Sequence, residues 1–124
     1  MQSKIHFTQT NRIGAHCFEG IPENWQLQEV TPLIFKDPKS DNITIQTRQF
    51  LLKFEEIAGA SFSYIVETVS VDKCRDRDGQ RISDALNQII ETKILDGFNF
   101  IAAVPNVHIG NTRQVYAVFQ QSCK

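Results

Sequence analysis

The chain has 124 residues, 41% of them hydrophobic and 22% charged, with a formal net charge of −1. This size and composition predict a single soluble domain, in which residues 1–60 form an N-terminal extension that packs on a core of residues 61–122. The balanced charge makes nucleic acid a poor candidate partner, because proteins that neutralise the phosphates of nucleic acids usually carry a basic excess. No apolar run approaches the ~20 residues of a membrane-spanning helix, so no membrane partner is predicted.

The cysteines point to a compartment. Cys17, Cys74 and Cys123 are odd in number and widely spaced, which does not fit a disulfide framework. The stretch MQSKIHFTQT lacks the apolar region of a signal peptide. Reduced thiols without such a signal predict a cytoplasmic protein.

The sequence shows no internal repeat, and its N-terminal part is loosely patterned. Lys4 to Thr8 and Ile43 to Gln46 alternate apolar with polar residues, which predicts two short strands. Apolar residues then recur at helical spacing, with Thr47 as a cap and Gly59 at the end. This spacing favours a second helix over about 47–58, and the alternative is that the preceding strand continues into a hairpin.

The C-terminal half predicts the order strand, helix, strand, strand. Residues 61–71 are rich in β-branched and aromatic side chains, which favours a strand. Apolar residues at helical spacing predict an amphipathic helix over about 81–95, ended by Gly97 in the left-handed conformation. Strands follow over 98–104, stopped by Pro105, and over 113–120. The predicted fold class is therefore α+β, with a mainly antiparallel sheet.

Both faces of this sheet carry apolar side chains, and a single helix can cover only one face. A bare second face would be an unusually large exposed apolar patch. We expect the N-terminal half and a second copy of the chain each to contribute to its cover. The sequence therefore predicts a homodimer.

Residues 62–120 resemble a family of small bacterial and phage domains of unknown function. The matching stretches are ISDALNQIIETKILDGFNFIAAVP and RQVYAVFQQ, which correspond to its helix, its Gly-aromatic-x-aliphatic strand and its closing strand. Phe98 departs from the pattern, because tryptophan is commoner there, and residues 1–61 precede the match. The resemblance implies the strand-helix-strand-strand plan and a phage or mobile-element origin, without an activity or catalytic residues.

The stretch CRDRDGQR partly imitates a calcium-binding EF-hand loop. Cys74, Asp76, Asp78 and Gly79 fall on its early positions. However, calcium prefers a carboxylate to a thiol at the first position, and Ala85 stands where the bidentate glutamate belongs. Calcium binding is therefore not predicted.

Other metal and catalytic signals are equally weak. A zinc site would have to combine His6, His16, Cys17 and His108, which are not at ligand spacing. The sequence contains no G-x-S-x-G, no Gly-rich phosphate loop and no H-E-x-x-H. No metal, cofactor or catalytic residue is predicted.

Polar loops are predicted to meet at one end of the C-terminal sheet. The strands over 61–71 and 98–104 run the same way, so the loops after them and the helix N-terminus share that end. Helix N-termini and arginines both favour anions. The candidate ligand-binding residues are Arg75, Arg77, Arg81, Asn106, His108, Asn111 and Arg113.

These features favour a non-catalytic binding or interaction module. It would sequester a small anionic ligand such as a nucleotide, or inhibit a partner protein. One alternative is a small enzyme that uses the Arg/His cluster, with His108 as the titrating group. The other is a structural oligomer subunit whose phenylalanine-rich sheet face forms the interface.

Overall fold

The structure is a computed structural model that describes residues 4–36, 45–70, 80–108 and 111–123. Side chains are described for residues 4–14, 16–34, 47–70, 82–106 and 114–123. In chain order, the strands are β1 (Lys4–Thr10), β2 (Trp25–Lys36), β3 (Ile45–Glu56), β4 (Phe62–Ser70), β5 (Asn99–His108) and β6 (Asn111–Ser122). A 3₁₀ helix, Ala15–Phe18, lies between β1 and β2, and the α-helix α1 (Gln80–Leu95) lies between β4 and β5.

The described strands form two three-stranded antiparallel sheets. The N-terminal sheet has the order β1-β3-β2, and the C-terminal sheet has the order β4-β6-β5. With α1, this arrangement confirms the predicted α+β class and its mainly antiparallel pairing.

The second helix predicted over 47–58 is wrong, because residues 47–56 belong to β3, the central strand of the N-terminal sheet. Phe50, Leu52 and Phe54 are buried on one face, and the residues between them are more exposed. That period of two is the period of a strand with one buried face. Leu51 is apolar on the opposite face, and it completed the helical spacing that favoured a helix.

Gly59 does not end a helix but makes a tight turn between β3 and β4. Its φ is 80°, and the Ala60 N–H donates to the Ile57 carbonyl at 3.3 Å. A positive φ at the third position of such a turn is the usual place for glycine.

The helix predicted over 81–95 is confirmed as α1, and it ends as expected at Gly97. The Phe98 N–H donates to the Lys93 carbonyl and the Gly97 N–H to the Ile94 carbonyl, both at 3.0 Å. Gly97 has a φ of 91°, which completes a Schellman motif. Ile94, expected on the apolar face, is instead more than half exposed.

We expect Gly97→Ala to lower the free energy of unfolding by about 1–2 kcal/mol, because the left-handed backbone disfavours a Cβ. That Cβ would also lie 3.3 Å from Nε2 of Gln121. Gly14→Ala is a matched control, since Gly14 has an extended φ of 176° and open space around its Cβ position. Equal losses for the two variants in urea denaturation would contradict this account.

The strand predicted to stop at Pro105 continues to His108. Pro105 is tolerated because β5 is an edge strand, where a missing N–H need not remove a ladder hydrogen bond. His108 pairs with Asn111, so most of the predicted loop over 105–112 consists of strand residues.

The two sheets pack face to face around a shared core. Its buried side chains are Ile13, Leu27, Val30, Phe50, Leu52, Phe54, Val104, Tyr116 and Val118. On the other face of the C-terminal sheet, α1 is held by an ion pair of 3.1 Å between Lys93 and Glu67. The N-terminal sheet and α1 therefore cover the two apolar faces of the C-terminal sheet.

Two contacts show how the sheets are aligned. The Tyr64 hydroxyl, early in β4, donates to the carbonyl of Trp25 at 2.7 Å, at the start of β2. Phe50 and Tyr116, which pair with late residues of β2 and β4, meet edge to face at 6.0 Å. Hence β2, β4 and β5 run the same way, and we call the end at which they finish the hairpin end.

The two halves of the chain repeat one plan, which the sequence alone did not reveal. Each half places its third strand between its first and second, and pairs all of them antiparallel. In each half the first and second strands are joined by a crossover, which contains the 3₁₀ helix in one and α1 in the other. The chain is therefore a structural tandem repeat.

The strand register of the two hairpins matches residue by residue. The β2–β3 pairs Leu27/Phe54, Glu29/Lys53 and Pro32/Phe50 correspond to the β5–β6 pairs Phe100/Phe119, Ala102/Val118 and Pro105/Val115. Both hairpins have one bulge between the first two of these pairs and another nearer the hairpin end. The repeat thus preserves the irregularities of the sheet as well as its order.

Candidate binding site at the hairpin end

The bulge nearest the hairpin end places an arginine at the same position in each sheet. In β3, Gln49 and Thr47 pair with consecutive residues of β2, which leaves Arg48 as the extra residue. In β6, Gln114 and Thr112 pair with consecutive residues of β5, which leaves Arg113 as the extra residue. The triplet Thr-Arg-Gln therefore occupies the bulge in both halves of the repeat.

A cleft of about 320 Å³ adjoins the bulge in the N-terminal sheet. It is lined by Leu33 and Ile34 of β2 and by Arg48 and Gln49 of β3. Ile34 is well exposed, so the cleft combines an accessible apolar wall with a guanidinium and an amide.

A polar cluster lies beside the bulge in the C-terminal sheet. The Tyr116 hydroxyl donates to Oε1 of Gln114 at 2.9 Å, and Nδ2 of Asn106 lies 3.3 Å from that hydroxyl. Gln114 pairs with both Ser70, the last residue of β4, and Asn106 of β5. The cluster therefore marks the row of the sheet at which β4 ends, and the β5–β6 hairpin extends beyond it.

The structure places five of the seven predicted site residues on elements that reach this end. Arg81 lies in the first turn of α1, Asn106 and His108 near the end of β5, and Asn111 and Arg113 at the start of β6. Arg75 and Arg77 lie outside the described residues. Only Asn106 has a described side chain, so the convergence of the seven stays a prediction.

The N-terminus of α1 belongs to the hairpin end because its C-terminus lies at the opposite end. Gly97, two residues after α1, lies beside Gln121, whose register partner is Ser63 at the start of β4. A helix of this length spans about 24 Å at 1.5 Å per residue, enough to cross the sheet.

Sequence reasoning missed Arg48 and Gln49. Both lie in the segment that was predicted to be helical, so their position at the hairpin end could not be foreseen. The signal that could have found them is the recurrence of Thr-Arg-Gln at 47–49 and 112–114.

The half-buried thiol of Cys17 is held in a local hydrogen bond of its own. The Cys17 thiol donates to the Gly14 carbonyl at 3.0 Å, and burial raises the pKa of Cys17, which disfavours the reactive thiolate. Among the residues that the structure describes, no group of three or more His, Cys, Asp or Glu is placed to hold a metal ion. The calcium-loop imitation over 74–79 falls outside those residues.

Within the described ranges, no helix is both long and apolar enough to cross a membrane. Comparisons of the chain with protein-family models, curated proteins and solved structures found no match. The resemblance of residues 62–120 to phage and bacterial domains therefore stays a prediction.

Proposed function

We propose that the protein is a non-catalytic binding module whose hairpin end holds a small anionic ligand such as a nucleotide. The observation that carries this proposal is the repeated bulge, which gives each sheet an arginine at the same end. β-Bulges redirect side chains and are over-represented beside functional sites. Arginine is the side chain best suited to bidentate contact with phosphate or carboxylate.

The surroundings of the two bulges support a ligand of mixed character. The cleft beside Arg48 offers Leu33 and Ile34 as apolar contacts, and small-molecule sites are usually apolar with a few polar groups. A phosphate on a flat apolar base would match the guanidinium and the apolar wall of this cleft. The N-terminus of α1 reaches the same end but on the far side of the C-terminal sheet, so it is not part of the Arg48 cleft.

The proposal includes a cytoplasmic protein that acts as a homodimer. Sequestering a nucleotide signal, or inhibiting a partner that needs it, would suit the phage or mobile-element origin implied by the family resemblance. Turnover of the ligand would instead favour the enzyme alternative with His108 as the titrating group.

The proposal is tested by calorimetric titration with inorganic phosphate and a panel of mono-, di- and cyclic nucleotides. We expect at least one nucleotide to bind, and Arg48→Ala and Arg113→Ala each to weaken it by about tenfold or more, because a hydrogen bond to a charged group contributes ~1.5–3 kcal/mol. Lys4→Ala is the matched control, since Lys4 is an exposed cation at the opposite end of the sheet.

Two results would contradict this function. One is a panel in which no compound binds or raises the melting temperature of the wild-type chain. The other is binding that both arginine variants retain, or that Lys4→Ala weakens as much as they do, since either outcome would place the ligand away from the hairpin end.

A further inference from the structure

The N-terminal sheet has an outer face, turned away from the core, that carries exposed apolar side chains. Ile5 and Phe7 of β1 are 45% and 58% exposed. Leu51 and Lys53 of β3 share this face, because they are the register partners of Gln9 and Phe7. Ile5, Phe7 and Leu51 form an apolar strip across two strands, which is unusual for a surface that meets only water.

The tandem repeat shows what the same surface does in the other half of the chain. By register, Ile5 and Phe7 correspond to Tyr64 and Val66 of β4. Likewise, Leu51 and Lys53 correspond to Tyr116 and Val118 of β6. All four of these counterparts pack into the core, against the N-terminal sheet. This face of the repeat unit is therefore a sheet-packing surface, used in one half and uncovered in the other.

We propose that the outer face of the N-terminal sheet is the self-association surface, and that two copies pack outer face against outer face about a twofold axis. The inference rests on the homodimer included in the proposed function. In the C-terminal half, the corresponding surface packs on the inner face of the N-terminal sheet. That inner face is therefore already occupied within the chain and cannot receive the outer face of a second copy. A second outer face is an apolar sheet surface of the same kind, and a twofold axis makes one patch serve both copies.

The charged side chains of the outer face can pair with those on the outer face of a second copy. Lys53 stands in register with Glu29 of β2, and Glu55 lies two residues further along the same face of β3. One cation is thus flanked by two carboxylates, beside the apolar strip. A twofold axis that crosses the strands midway between the Phe7–Lys53 and Ile5–Glu55 rows would set each Lys53 against Glu55 of the other copy. Opposite charges across an interface fix its register.

Sedimentation velocity over a range of concentrations tests the inference with the full chain. We expect a dimer at micromolar concentration, and Phe7→Glu should raise its dissociation constant by about tenfold or more. Leu95→Glu is the matched control, because Leu95 is 87% exposed at the end of α1 and lies off the outer face. The control variant should sediment like the wild type.

Charge reversal gives a second measurement that does not depend on Phe7. Lys53→Glu alone should weaken the dimer, and adding Glu55→Lys should restore it at least in part, because the face then carries the opposite sign at both positions. Thermal melting of each variant, with its circular dichroism spectrum, shows whether the fold is retained. If Phe7→Glu fails to fold, the charge-reversal pair decides the question.

A wild-type chain that stays monomeric would overturn the inference, as would a dimer that Phe7→Glu and Lys53→Glu leave intact. Titrating wild type and Phe7→Glu with the nucleotide that binds best separates this failure from failure of the proposed function. If Phe7→Glu loses the dimer but still binds the nucleotide at the hairpin end, the self-association surface and the proposed function are both supported. A dimer that needs the outer face but binds no nucleotide leaves only the self-association surface standing.

Discussion

Replacing Phe54 by alanine is expected to lower the free energy of unfolding by about 3–5 kcal/mol, and Phe119→Ala is expected to cost the same. Both rings are fully buried, and they occupy equivalent positions in the central strands β3 and β6. Each packs on a ring from the second strand of its own half, Trp25 at 5.7 Å and Phe100 at 5.6 Å between centroids. The loss is a large part of the ~5–15 kcal/mol that stabilises an ordinary domain.

Urea denaturation followed by circular dichroism measures this effect. Phe7→Ala is the control, because Phe7 is mostly exposed in the single chain and should cost less than about 1 kcal/mol. Phe7→Ala and the wild type should be compared at a protein concentration low enough for both to be monomeric. A loss of less than about 1 kcal/mol in either core variant would mean that this buried position of the central strand does not stabilise both halves of the repeat.

The second large effect is expected from Tyr64→Phe, which should lower the free energy of unfolding by about 1–3 kcal/mol. The Tyr64 hydroxyl donates to the Trp25 carbonyl at 2.7 Å and accepts from the Leu27 N–H at 2.9 Å. It therefore joins the first strand of one sheet to the second strand of the other. The stack of its ring on Phe18, with centroids 4.4 Å apart, needs no hydroxyl and should survive. A loss below about 0.5 kcal/mol would contradict a structural role for the two hydrogen bonds.

The same hydroxyl predicts how stability changes in base. Burial raises the pKa of Tyr64 to about 12, although the hydrogen bond from Leu27 acts in the opposite direction. An unfolded tyrosine has a pKa of about 10, so the neutral hydroxyl stabilises the fold fully below that pH. This stability is lost as the pH rises from about 10 to about 12, because the unfolded chain then releases its proton more readily. Denaturation across that range should show a smaller decline for Tyr64→Phe than for the wild type.

The C-terminal half could be predicted from its sequence because each of its signals is local. The spacing of apolar residues locates α1, and Gly97 after the last turn requires the left-handed conformation that the structure shows. Alternation of two apolar faces locates β4 and β6. It also implied that something other than α1 must cover the sheet, and the N-terminal sheet does so.

The N-terminal half was harder to predict because β3 also carries an apolar residue, Leu51, on its otherwise polar outer face. Leu51 on the outer face, next to Phe50 and Leu52 on the inner one, satisfies a helical and a strand period equally well. Pairing with β1 and β2 determines that this segment is a strand and not a helix. Such pairing is non-local, and no window of neighbouring residues contains it.

The repeat and the site at the hairpin end escaped prediction for a related reason. Positions that are equivalent by strand register in the two halves seldom carry the same type of residue. Ile5 corresponds to Tyr64, for example, and Lys53 to Val118. Shared residues survive mainly where the backbone is irregular, in Thr-Arg-Gln at the bulge. Phe98 directly precedes Asn99, the register counterpart of Gln26, just as Trp25 directly precedes Gln26 in the first half. The site at the hairpin end also depends on the alignment of the sheets, which Tyr64 sets across 39 residues of chain.

The position of α1 has a consequence for growth of the assembly. Sheets that pack through unlike faces can in general add layer upon layer and form filaments. Here α1 packs on the far side of the C-terminal sheet, so a further sheet could not stack there without displacing the helix. The proposed pairing through the outer face of the N-terminal sheet would then stop at two chains, with four sheets between two terminal helices.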